Sequence, residues 1–131
     1  MSDDRFRQDL TGENALICGT DQVITPIPLY DGTGTTPLDL TGVLEIEFTL
    51  KKQLHPDWPV LLSLTKTAAR VAIVGLATAG IISVTLQDTD TLPVSGTRLV
   101  GWYQHEIRVT DSGGLKSVVC NGSVEIKATA A

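Results

Sequence analysis

Apolar and polar residues alternate along much of the chain, and this alternation predicts β-strands. Residues 43–50 read V-L-E-I-E-F-T-L, a strict period of two. Because successive side chains of a strand point to opposite sides, a period of two indicates a strand with one buried face. The buried side of this strand is predicted to consist of Leu44, Ile46, Phe48 and Leu50, with Glu45, Glu47 and Thr49 on the polar side.

Three further stretches repeat the pattern. Residues 80–87 place Ile82, Val84 and Leu86 on one side. Residues 101–110 and 118–126 flank D-S-G-G, whose residue types favour tight turns, so these two strands are predicted to form a hairpin. The inward sets of the hairpin are predicted to be Tyr103, His105, Ile107 and Val109 on its first strand, and Val118, Cys120, Gly122, Val124 and Ile126 on its second.

Weaker strand patterns occur at residues 15–18, 23–29, 60–65 and 70–74, and no stretch has three turns of helical spacing. Pro26 and Pro28 cannot donate to a β-ladder, so the second of these strands is expected at a sheet edge. Seven to eight short strands separated by turn residues predict an all-β, immunoglobulin-like antiparallel β-sandwich. A small closed β-barrel is the alternative, since periodicity cannot separate the two architectures.

The length of 131 residues suits one domain with one core. We expect the sandwich to span residues 15–131 and to follow a flexible, polar N-terminal arm at residues 1–14 that can order against a neighbouring subunit. Arg5, Phe6 and Arg7 of this arm are candidate contacts with other proteins.

Charge and hydropathy exclude several partners. The net charge of -5 disfavours a grip on phosphate backbones, so nucleic acid is not expected as a partner. No apolar run is long enough for a membrane span, and the charged first ten residues differ from a signal peptide. We therefore expect synthesis in the cytoplasm and no membrane partner.

Candidate chemistry is sparse, and neither an enzyme nor a cofactor nor a metal is expected. Cys18 and Cys120 are too far apart for a metal motif and are predicted to be buried, with a disulfide between them as the minority interpretation. His105 is predicted to be a hydrogen-bonded, half-buried histidine, and His55 an exposed loop residue. Asp88 and Asp90 fall short of a calcium loop. No nucleophile, phosphate-loop or zinc-protease motif occurs.

The two tryptophans are the strongest candidates for a contact surface. Trp102 falls on the polar side of its strand, and Trp58 lies near prolines in a loop. Exposed aromatic rings are typical of binding surfaces. The alternative for Trp102 is that it covers a sheet edge or packs under the preceding loop.

Several motifs together resemble a known group of domains. The order G-T-D, D-G-T-G, P-L-D-L-T-G and E-I-E-F-T-L-K-K, followed by I-S-V-T-L-Q-D-T-D-T-L, G-W-Y-Q-H-E-I-R-V-T-D-S-G-G and V-V-C-N-G-S-V-E-I, covers nearly the whole chain. It is similar to small immunoglobulin-like structural domains of tailed bacteriophages and prophages, among them the N-terminal domain of the baseplate upper protein. In P-L-D-L-T-G, Leu38 and Leu40 are expected to fill the core while Asp39 and Thr41 bond local backbone.

The resemblance implies a non-enzymatic structural subunit of the virion. Such a subunit would serve as an adaptor or accessory protein of the tail, neck or fibre-attachment region, in contact with other phage proteins and with copies of itself in a symmetric assembly. The alternative is a small recognition module that binds carbohydrate or a host surface through Trp58 and Trp102.

Overall fold

The computed structural model describes residues 7–31, 36–53, 57–91 and 99–128. These ranges contain eight β-strands. No α-helix occurs in these ranges; single 3-10 turns lie at Gly12–Asn14, Ala77–Ala79 and Asp88–Asp90. The strands are β1 (Leu16–Ile17), β2 (Gln22–Pro28), β3 (Glu45–Lys51), β4 (Leu62–Thr65), β5 (Val71–Ile73), β6 (Ile81–Leu86), β7 (Gly101–Thr110) and β8 (Lys116–Lys127).

The strands form two sheets that enclose one core. The first has the order β1-β8-β7-β3-β4 and the second the order β2-β6-β5. Every strand pair is antiparallel except β1 with β8, which is parallel. The predicted immunoglobulin-like β-sandwich is confirmed, since two separate sheets, and not one closed sheet, contribute to a single core.

The core follows from the alternation seen in the sequence. Inward residues of both sheets are almost fully buried, and each fully buried aliphatic or aromatic side chain contributes about 1.5–3 kcal/mol. The largest of these side chains are those of Phe48, Ile46, Leu50, Ile82, Leu86, Ile107 and Ile126. The proline-containing strand β2 lies at an edge of the three-stranded sheet, as predicted.

A β-bulge makes one predicted face wrong. Ile107 pairs with Cys120, but the next residue, Arg108, pairs with Val118, so Val119 is the extra residue. A bulge reverses the side-chain alternation beyond it. Val118, predicted to point inward, is therefore 43% exposed, while Val119 is 8% exposed.

Two positions of the strand at residues 43–50 also differ from the prediction. Leu44, predicted to be buried, directly precedes β3 and is 58% exposed. Thr49 lies on the outer side, as its parity requires, but is only 5% exposed. Its hydroxyl donates to the main-chain oxygen of Glu106 at 3.3 Å, which satisfies this buried polar group.

Residues 7–14, the described part of the predicted arm, pack against the sandwich. Arg7 and Leu10 form parallel bridges to Asn121 and Val124 of β8, and Leu10 is buried. The main-chain N–H of Gln8 donates to the oxygen of Asn121 at 2.9 Å. This segment thus extends the edge of the five-stranded sheet ahead of β1, while residues 1–6, including Arg5 and Phe6, lie outside the described residues.

Candidate protein-contact surface

One end of the outer side of the five-stranded sheet carries exposed apolar side chains. Trp102, in β7, is 56% exposed and pairs with Glu125 of β8. Continuing the register by one pair past Gly101 brings Val100 level with Lys127, which itself pairs with Ile17 of β1. Ile17, Val100 and Trp102 therefore converge on one end of the outer face, and we call these three residues the apolar corner.

The connection between β3 and β4 borders the same end of the sheet. Lys52 follows β3, donates from Nζ to the main-chain oxygen of Trp102 at 2.9 Å and lies 4.7 Å from the ring centroid of Tyr103. This cation–π contact and the hydrogen bond tie the connection to β7. Trp58 of the connection is 40% exposed, and Leu61 is also exposed. The structure thus exposes both predicted tryptophans, with Trp102 on a sheet and Trp58 in a loop.

The opposite end of the outer face is acidic. Glu45 and Glu47 of β3 lie level with Thr110 and Arg108 of β7. Arg108 donates from Nε to a carboxylate oxygen of Glu106 at 2.6 Å. Lys116 of β8 lies level with Thr110 at this end. Three carboxylates, one guanidinium and one ammonium group therefore leave this end with a net charge of -1.

Two of these carboxylates are held by hydroxyl groups. Glu47 accepts a hydrogen bond from Ser63 at 2.8 Å, and Glu45 accepts from the hydroxyl and main-chain N–H of Thr67. Burial by itself would raise the pKa of Glu45, but the hydrogen bonds from Thr67 and from the main chain of Ile46 and Lys66 together outweigh it, so the net pKa lies below the usual value. Glu45 thus stays ionised at neutral pH.

Near the apolar corner the charge is positive. Lys51 lies level with Gln104, and Lys127 and Glu125 belong to neighbouring outward positions of β8. Two ammonium groups and one carboxylate give a net charge of +1. The outer face therefore has opposite charge at its two ends along the strand direction.

Arg7, the one arm candidate within the described residues, lies at the β8 edge of this face. Its Nε is 3.0 Å from Asp9, and its Nη2 donates to the hydroxyl of Ser123 at 3.1 Å. Burial raises the pKa of Asp9, but hydrogen bonds from the Ser123 main chain and from Arg7 lower it by more, so its net pKa lies below the usual value. Arg7 is thus held against its own sheet by a carboxylate that stays ionised.

A buried histidine fastens this N-terminal segment. His105 points inward from β7, stacks on Phe48 with ring centroids 5.3 Å apart, and contacts the main-chain oxygen of Gln8 through Nε2. Its cross-strand neighbour is Gly122, where a Cβ would come within 2.1 Å of that same oxygen. The absence of a side chain at position 122 is what admits Gln8 to the imidazole.

The environment of His105 departs from the prediction of a half-buried, satisfied side chain. The residue is 1% exposed, and its Nδ1 has no hydrogen-bond partner. Burial lowers the pKa of His105, because the charged imidazolium would lose its hydration there. Sequence spacing carried no signal for Gln8 as a partner, since the two residues are 97 positions apart.

Both cysteines are buried, as predicted, and no disulfide joins them. Cys18 donates from Sγ to the main-chain oxygen of Thr91 at 3.3 Å. Burial raises the pKa of the Cys120 thiol to about 12, so it stays protonated and is a weak nucleophile.

Of the remaining candidates, Asp88 and Asp90 form structural hydrogen bonds, and His55 lies outside the described ranges. Asp90 forms an ion pair with Arg70 and accepts from the main chain of Gln87, and Asp88 donates its N–H to Asp21. In the ranges that the structure describes, no three His, Cys, Asp or Glu side chains are grouped as metal ligands.

A groove of about 340 Å³ lies between the N-terminal segment and β2. Its lining includes the carboxylates of Asp9 and Glu13 and the hydroxyl of Thr25, and among the described residues it contains no histidine, cysteine, serine or lysine.

Comparisons with known proteins find weak likenesses to solved structures. No protein-family model and no curated protein match the chain. Similar solved structures include murine CRIg, at 12% identity and a TM-score of 0.35, covering 95% of this chain and 92% of that one. The extracellular domain of the voltage-gated sodium channel β4 subunit, described as a parallel homodimer with a role in cell-cell adhesion, shows 12% identity, a TM-score of 0.34 and coverage of 95% and 93%.

A structure concerned with multimeric cell-adhesive interactions of these channel β subunits shows 13% identity, a TM-score of 0.38 and coverage of 94% and 92%. At TM-scores this low, these likenesses carry no argument about this chain. Within the described ranges, no helix has the length and apolar character needed to cross a membrane.

Proposed function

We propose that this chain is a non-enzymatic structural subunit of a tailed-bacteriophage virion, an adaptor or accessory protein of the tail, neck or fibre-attachment region that works through protein contacts. The observation that carries the proposal is the apolar corner on the outer face of the five-stranded sheet. Trp102 there projects from a strand that is paired on both sides, so its position is fixed before any partner arrives. Preorganised aromatic side chains lose little entropy on binding and often dominate interface energies.

The roles of the resembling motifs favour a structural protein. Leu40 is buried, Leu38 packs against the core, and Asp39 accepts a hydrogen bond from the N–H of Thr41 at 2.9 Å. Asp111 accepts hydrogen bonds from the N–H groups of Gly113 and Leu115. These motif residues hold loops in place, which is what a scaffold requires of them.

The proposal is tested on the particles that accompany this gene. We expect the protein in purified virions at a fixed stoichiometric copy number, and density for it at one symmetric position by electron cryo-microscopy that is lost when the gene is deleted. Particles complemented with Trp102→Ser should carry less of it than particles complemented with Leu115→Ala, which alters an exposed leucine elsewhere. A protein absent from purified particles would overturn the proposal.

The exposure of both indole rings favours a second candidate function, binding of carbohydrate. Tryptophan rings can stack against the apolar faces of sugars, and Trp58 and Trp102 are both accessible. A glycan array would show binding that Trp58→Ala and Trp102→Ala each abolish. If the protein is present in virions and binds no glycan on the array, only the structural role remains.

A further inference from the structure

We infer that the outer face of the five-stranded sheet is a contact between two copies of this chain, with the strands of the two copies running in opposite directions. This inference rests on the proposed function in protein contacts and specifies the partner. It starts from the distribution of charge along the face. The end near Glu47 and Arg108 carries a net charge of -1, with Lys116 included, and the end near Lys51 carries +1.

Symmetry turns this charge distribution into a choice of orientation. Two identical faces related by a two-fold axis along the strands would place like ends together. An axis perpendicular to the strands, in the plane between the faces, places the acidic end of each copy over the basic end of the other. Opposite charges that meet fix orientation, whereas like charges disfavour it.

The antiparallel arrangement also gives specific pairs. Trp102 and Arg108 project from the same side of β7, about 20 Å apart along the strand. When β7 of one copy lies over β7 of the other, the Arg108 guanidinium reaches the Trp102 ring, a favourable cation–π geometry. On β3 the same operation brings Lys51 toward Glu47 of the second copy.

The size of the face suits a weak or moderate dimer. Its strands measure about 20 Å across and about 25 Å along, which gives roughly 1,000 Å² buried in total by two copies. This is near the lower limit for specific interfaces, and the face is largely polar apart from the apolar corner. We expect association that depends on protein concentration and weakens with salt.

The experiment is analytical ultracentrifugation of the full chain over a range of protein concentrations, at low and at high salt. We expect a monomer–dimer equilibrium that Trp102→Ser weakens by about tenfold or more. Lys51→Glu and Glu47→Lys should each weaken it as well, and the double variant K51E/E47K should restore it. Leu76→Ala, an exposed leucine between β5 and β6 of the other sheet, is the matched control and should leave it unchanged.

Each outcome decides the inference. Restoration by the double charge reversal supports the antiparallel pairing, because a parallel arrangement keeps Lys51 of one copy at the level of Lys51 of the other. A failure to restore, with both single variants weakened, overturns the orientation. A chain that stays monomeric, or a dimer indifferent to Trp102, overturns the interface, whereas the proposed virion role is decided separately by the particle experiment.

Discussion

The two sides of β7 differ in burial and in the role we assign to them. Inward from this strand, Tyr103, His105 and Ile107 are buried against the second sheet and the N-terminal segment. Outward, the side chains of Trp102 and Arg108 are exposed to solvent. The inner side therefore determines stability, while the outer side is available for partners, and substitutions on the two sides should have separable effects.

The largest expected effect comes from the centre of the inner side. Phe48→Ala removes a fully buried ring that stacks on His105, and the cavity left behind should lower the free energy of unfolding by about 3–5 kcal/mol. Urea denaturation followed by tryptophan fluorescence measures this loss. Leu115→Ala, on an exposed turn residue, serves as the control, and a Phe48→Ala protein as stable as that control would contradict the assigned core.

Next in size is the point where the N-terminal segment meets the inner side. Gly122→Ala places a Cβ against the main-chain oxygen of Gln8, so the segment must move and lose its bonds to β8. We expect a loss of about 2 kcal/mol and faster amide exchange in Gln8 and Leu10. Gly113→Ala, whose Cβ would meet only a side-chain oxygen at 3.4 Å, should change stability by less than about 0.5 kcal/mol. Equal losses in the two variants would show that Gly122 has no special role.

A smaller effect should appear on acidification. The pKa of His105 is lowered in the folded state, so from about pH 6.5 downward the unfolded chain takes up a proton that the folded chain refuses. As the pH decreases through this window, the free energy of unfolding should decrease by at most about 1.4 kcal/mol per pH unit. In His105→Gln the decrease between pH 7 and pH 5 should be absent, although carboxylates such as Asp9 still act at lower pH. Parallel pH profiles of the two proteins would contradict this account.

The smallest effect on stability belongs to the outer side. Trp102→Ser should change the free energy of unfolding by less than about 0.5 kcal/mol, because more than half of the side chain is already exposed in the folded protein. The same variant should be the one most impaired in self-association. If Trp102→Ser unfolds the protein, the ring supports the fold, as in the alternative interpretation of the sequence.

Prediction from sequence succeeded where the alternation is local. The buried sides of residues 80–87 and 101–110 follow directly from a period of two, and Pro26 and Pro28 correctly marked a sheet edge. It failed at Val118, because a one-residue bulge leaves no trace in the composition of a strand. Of the candidate contact residues, Trp102 was found from its parity, while Arg108 and Lys51 stood out only once the register of β3 against β7 placed them on one face.

By itself, the sequence determined that the chain forms strands and which side chains of most strands are buried. Those features depend on near neighbours, since the period of a strand and the chemistry of a turn span only a few residues. The tertiary structure alone decided the parallel docking of residues 7–10 on β8, the contact of Gln8 with His105, and the separation of charge across the outer face. Each of these joins residues from distant parts of the chain, and no local pattern encodes which strands become neighbours.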